Sequence, residues 1–117
     1  MDSQTPAADG RLLSCLALMV REGASDLFLL AGAPPTLKRL GAFLQITKGS
    51  VTAEDVRTMV YSIMRKAQID EFEASKECDF SFQSQDLSRY RVHVHLPRGT
   101  VGVVVRHVTA TSPSLAE

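Results

Sequence analysis

The chain has 117 residues, 44% of them apolar, which suits one domain with a core of its own. Thirteen basic and thirteen acidic residues cancel, so no whole-molecule field draws it to nucleic acid or to an anionic membrane surface, and any anion site has to be local. Two distant cysteines, Cys15 and Cys78, lack a CxxC pair or histidine ligand spacing and read as packed thiols of a reduced, cytoplasmic chain.

Residues 1–9 read as a flexible leader of small and polar types, acidic rather than basic and without a cleavage-type signal. The apolar run LLSCLALMV that follows is about half the length a bilayer-spanning helix needs. It reads instead as a core-facing helix from Asp9 or Gly10, with Leu12, Leu16, Met19 and Val20 on the stripe, Leu13 and Cys15 beside them, and Gly23 as its stop.

LFLL, after Ser25 and Asp26, is too short for a helix and predicts a buried strand. Gly32, Pro34 and Pro35 then break the chain before TLKRL and AFLQI, which form a hairpin around Gly41. Thr52, followed by Glu54 and Asp55, starts a helix whose apolar face runs through Val56, Met59, Val60, Ile63, Met64 and Ala67, with QIDEFEAS adding a helical turn or two.

From Cys78 the period changes to two, with Phe80 and Phe82 on the same face, and a half-buried strand begins. RYRVHVHL and TVGVVVRHV are the last two strands, joined by a tight turn at Arg98 and Gly99. Helix, strands, helix, strands make an α+β fold with a mainly antiparallel sheet, over residues 10–109, and 110–117 read as the start of a linker.

The two-residue turn fixes a register that sets Arg91 opposite Arg106. One face then carries Tyr90, Val92, Val94 and Leu96 against Val101, Val103 and Val105, and the other gathers Arg89, Arg91, His93 and His95 beside Arg106. Like charges directly across a strand pair repel by tenths of a kcal/mol, which an anion or a carboxylate between them would remove; on the residues alone a plain solvated face is the simpler reading. His93 and His95 share a face as an HxH zinc pair would, but no third ligand follows, and polar surface histidines are the simpler reading. Glu77 and Asp79 flank a strand start, where solvated carboxylates are routine, and make a poor acid/base pair.

No GxxxxGK[ST] phosphate loop, GxSxG elbow, HExxH helix or dinucleotide turn occurs. The segments LALMVREGASDLFLLAGAPPTLKRLG, VTAEDVRTMVYSIM with FEASKECDFSF, and SRYRVHVHLPRGTVGVVVRHV nevertheless resemble, in order and spacing, the N-terminal domain of the type IV pilus retraction ATPases of the PilT/PilU type. Phe28 stands where the retraction motor proper usually has histidine, which brings the match closer to the PilU branch. Arg39 and Leu40 replace the usual apolar residue and the acidic or amide residue before Gly41, and Pro97 replaces a glutamine before Arg98.

The resemblance implies a PAS-like domain whose linker leads to a RecA-like motor domain, in a homo- or hetero-hexamer at the cytoplasmic face of the inner membrane, docked on the pilus platform. It implies ATP and Mg in the full-length protein and none in this chain, which would not hydrolyse ATP by itself. It also implies that Arg91, Arg98 and Arg106, with Arg89 behind them, contact the phosphates of a nucleotide held by the motor domain. The competing expectations are a small-ligand sensor of the PAS type, and a structural domain that contributes only subunit contacts.

Overall fold

Capping side chains and residues at positive φ delimit most of the elements. The structure is a computed structural model and describes residues 8–96 and 99–108. Arg98 with Pro97, most of the expected leader, and the linker at 110–117 lie outside these residues.

Helix α1 spans Gly10–Glu22; the Asp9 carboxylate accepts from the Arg11 amide at its start, and Gly23, at φ 69°, closes it by donating to Met19 and Val20. Leu12, Cys15, Leu16 and Met19 form its buried stripe. Leu13 is 39% exposed, because it falls outside the i, i+3, i+4, i+7 positions of that stripe.

Strands β1 (Asp26–Leu30), β2 (Thr36–Arg39) and β3 (Ala42–Gln45) form one antiparallel meander. Between β2 and β3 the chain turns on Leu40 and Gly41, both at positive φ, the geometry of a two-residue type I′ hairpin.

Helix α2 spans Ala53–Tyr61, with a reciprocal capping box between Thr52 and Asp55. It ends earlier than the apolar spacing predicts. The Ser62 hydroxyl donates to the Met59 carbonyl, the Arg65 amide donates to Gln68 Oε1, and a separate helix α3 runs Lys66–Ser75. Ile63 and Met64 are buried in the connection, and Ala67 is exposed.

Strands β4 (Glu77–Gln83), β5 (Arg89–His95) and β6 (Gly102–Val108) form the second meander. β6 pairs with β1, which joins the two meanders into one six-stranded antiparallel sheet of order β3-β2-β1-β6-β5-β4. This is the expected α+β arrangement. The core lies on one face, where Leu27, Leu29, Leu37, Val92, Val94, Val103 and Val105 meet Leu12, Leu16, Met19, Val56, Met59 and Val60. The alternate residues of the strands point the other way, and that face carries no helix among the described residues.

Candidate anion-binding site

Alternation along β5 sends Tyr90, Val92 and Val94 into the core and leaves Arg89, Arg91, His93 and His95 on the bare face. The register is the expected one, with Arg91 opposite Arg106, Val92 opposite Val105 and Val94 opposite Val103. Pairing on both sides extends this into a row across five strands: Lys38, Asp26, Arg106, Arg91 and Ser81.

The carboxylate that complements Arg106 is thus built into the chain. Asp26, only 8% exposed, places Oδ2 3.6 Å from Arg106 Nε and accepts a hydrogen bond from the Ser25 hydroxyl. The ion pair is loose, and the Arg106 side chain is 71% exposed, so it contributes little to stability. Its consequence is electrostatic: half of the like-charge pair is locally neutralised. The side chains of Arg89 and Arg91 make no hydrogen bond or ion pair with any described residue.

Beside those two arginines is an open cleft of about 710 Å³. Its polar lining comes from Arg65, Gln68, Ser81, Gln83, Arg89 and Arg91, and Ile63, Phe82, Tyr90 and Val108 complete it. No carboxylate is among these residues. Arg65 belongs to the helical layer that packs on the core face, whereas alternation directs the Arg89 and Arg91 side chains to the bare face. A planar, permanently charged fork suits phosphate oxygens, and the cleft therefore has the chemistry of an anion site.

Of the sequence candidates, Arg89 and Arg91 line this cleft, Arg106 stands one strand away against Asp26, and Arg98 lies outside the described residues. Arg65 escaped the sequence reading. It sits in the α2–α3 connection, which the continuous apolar period disguised as helix, and the basic pair Arg65–Lys66 ahead of Gln68 was the signal available.

The histidines have a different setting. His93 Nδ1 lies 2.8 Å from Asp79 Oδ1 across β4–β5, and the His93 and His95 rings stack with centroids 5.0 Å apart. Among the described residues, no group of three or more His, Cys, Asp or Glu side chains converges as a metal site would. Burial, and then the neighbouring His93, push the His95 imidazole below its ordinary value. Glu77 is the register partner of His95, and both Glu77 and Asp79 are exposed.

At the other end of the bare face the surface is apolar. Phe28 and Phe43 meet with ring centroids 5.8 Å apart, and the Lys38 ammonium lies 5.9 Å from the Phe43 centroid.

No protein-family profile matches the chain. PilU of Pseudomonas aeruginosa, a type IV pilus ATPase, is 36% identical over 102 residues, covering 87% of this chain and 27% of its own length. PilT of the same organism, a type IV pilus retraction ATPase, is 32% identical over 102 residues, covering 87% of this chain and 30% of its own length. A crystal structure of the pilus retraction motor PilT with bound ADP superposes with a TM-score of 0.79 at 31% identity, over 86% of this chain and 30% of that one. The chain is a domain of the PilT/PilU type.

This PilT/PilU-type domain spans under a third of the length of the relatives it matches. PilU is the nearer of the two pseudomonad relatives, as the phenylalanine at position 28 leads one to expect. None of its described helices is long and apolar enough to cross a membrane.

Proposed function

We propose that the chain is the N-terminal regulatory and assembly domain of a hexameric type IV pilus retraction ATPase, and that its bare-face arginines read the phosphates of a nucleotide held by a RecA-like motor domain. The carrying observation is that Arg89 and Arg91, unpaired among the described residues, line a cleft without a carboxylate in a chain of zero net charge. The relatives are ATPases, and PilT has been solved with ADP, so a phosphate-bearing partner is at hand in the full-length protein.

On this reading Arg91 is the principal contact and Arg89 the second. Arg106 is an accessory cation tempered by Asp26, and Arg98, outside the described residues, completes the set. ATP supplies the anion when bound. The cleft wall offers guanidinium groups and amides but no carboxylate, so it fits phosphate oxygens, and a Mg ion accompanying the nucleotide belongs to ligands elsewhere. Neighbouring subunits and the pilus platform at the cytoplasmic face of the inner membrane are the proposed partners; nucleic acid is not, given the cancelled charge.

Arg91→Gln in the full-length protein tests this. ATP turnover is expected to fall by about tenfold or more, the scale of one lost charge-assisted contact to phosphate. Unchanged turnover and unchanged pilus retraction would refute phosphate sensing and leave the domain a structural role.

A further inference from the structure

The β2–β3 hairpin has three properties that folding does not require. Every residue from Arg39 to Gln45 is exposed, and the apolar ones lead outward: Phe43 is 64% and Leu40, in the turn itself, 93% exposed. Leu40 also occupies the left-handed region at φ 51°, where asparagine would fit better and where leucine adds no packing to the domain. The charge is one-sided: no acidic residue occurs between Asp26 and Glu54, a stretch that carries Lys38, Arg39 and Lys48 in a chain of zero net charge.

The cations and the apolar groups lie together. Lys38 and Phe43 are register partners, with the ammonium 5.9 Å from the ring centroid, and Phe28 extends the apolar surface toward Leu30 and Pro34. Two carboxylates stand near. Glu22 is 3.7 Å from Arg39, and Asp26, the register partner of Lys38, is buried and paired with Arg106. Lys38 makes no ion pair with any described residue. β3 is an edge strand, but a second copy is a poor occupant for it, because pairing edge to edge would gather the cations of both hairpins without an acid between them.

We propose that this hairpin is a lipid-contacting wedge, in which Leu40 and Phe43 enter the headgroup–acyl boundary of a bilayer and Lys38 and Arg39 meet anionic phospholipid headgroups. Apolar side chains at the end of a narrow turn need a partner that yields around them, as a fluid bilayer does. Lysine and arginine lay their aliphatic stems along such an apolar surface and keep the charge at headgroup level. Binding by one copy is weak and reversible, since two side chains bury no more apolar area than a single acyl chain. The contact is separate from the phosphate-reading role given above to the last hairpin.

The test is co-sedimentation of the 117-residue chain, at low ionic strength, with vesicles of phosphatidylcholine containing about one third phosphatidylglycerol, beside vesicles of phosphatidylcholine alone. Partition about tenfold stronger into the anionic vesicles is expected. Leu40→Asn and Phe43→Ser should each weaken it about tenfold and Lys38→Gln about fivefold, whereas Lys66→Gln, which removes an exposed cation paired with Asp70 on α3, should change it less than about twofold. Leu40→Asn also relaxes the turn, so a variant at least as thermally stable as wild type that no longer binds lipid has not lost binding by unfolding.

Absence of partition into either vesicle overturns the proposal and leaves a protein partner for the tip. Binding that survives in a Leu40→Asn, Phe43→Ser double variant and disappears at about 0.5 M salt overturns it as well, because adsorption through surface cations alone would account for it. Neither outcome bears on Arg91, whose role is decided by ATP turnover of the full-length variant.

Discussion

Arg106 and Asp26 are register partners on adjacent central strands, with Nε and Oδ2 3.6 Å apart. This carboxylate separates the roles of two arginines that face each other across β5–β6. Removing its charge with Asp26→Asn keeps the shape and an acceptor for the Ser25 hydroxyl but leaves Arg91 and Arg106 as an uncompensated like-charge pair. The expected loss of stability is about 1 kcal/mol or less, since the arginine is exposed. Affinity for tripolyphosphate should rise severalfold at low salt, and the gain should vanish near 1 M salt. Urea unfolding and a tripolyphosphate titration together check both.

The same asymmetry ranks the arginines in the full-length ATPase. Arg91→Gln should depress ATP turnover more than Arg106→Gln by about threefold to tenfold, because only Arg91 lines the cleft and only Arg106 has a carboxylate partner. Turnover assays on the two variants, with hexamer formation followed in parallel, distinguish this from a uniform effect of lost charge. Equal losses would mean that the Asp26 pairing does not matter to function.

The last hairpin was legible because strict alternation from Arg89 to His95 and from Val101 to Val105 admits one register with a two-residue turn, and any slip would bury arginine. Asp26 was less legible. Its place before LFLL looks like a turn position, and only the pairing of β1 with β6, remote in sequence, brings it to Arg106. The break between α2 and α3 was hidden for another reason: Ile63, Met64 and Ala67 continue a period of 3.6, and the polar contacts that end the helix, from Ser62 and Gln68, have no strong sequence signature. Arg65 was lost with that break.

Stability should depend on pH in two separate windows. His95 has its imidazole pushed below its ordinary value of 6.5, by burial first and then by His93, against the opposing pull of the Gly102 backbone and of Glu77. The unfolded chain therefore binds the proton more readily, so this contribution is complete above about pH 6.5 and is lost as pH falls through the lower folded value. Asp9 and Asp55 are lowered from 3.8, Asp9 chiefly by the Arg11 side chain and Asp55 chiefly by the Thr52 amide. Their contribution is present above that value and disappears below it. Urea midpoints from pH 7.5 to 3 should show both declines, with His95→Gln flattening the upper one. Arg11→Met should shrink the lower one without abolishing it, since Thr52 still holds Asp55.

The β2–β3 turn holds a residue that its backbone does not favour. Leu40 has φ 51° and is 93% exposed, so its side chain contributes no packing to offset a left-handed conformation that costs an L-residue about 1 kcal/mol. Asparagine tolerates that region, and Asn-Gly is the preferred pair for a type I′ turn. Leu40→Asn should therefore stabilise the domain by about 0.5–1 kcal/mol, and Leu40→Gly by less, because glycine gives up more backbone freedom on folding. Leu40→Val should destabilise it, a β-branched residue being the worst choice at positive φ. Thermal midpoints in the order Asn, Gly, Leu, Val are the expected result, and a midpoint for Leu40→Asn at or below that of the parent would mean that the exposed leucine packs against something in the working assembly.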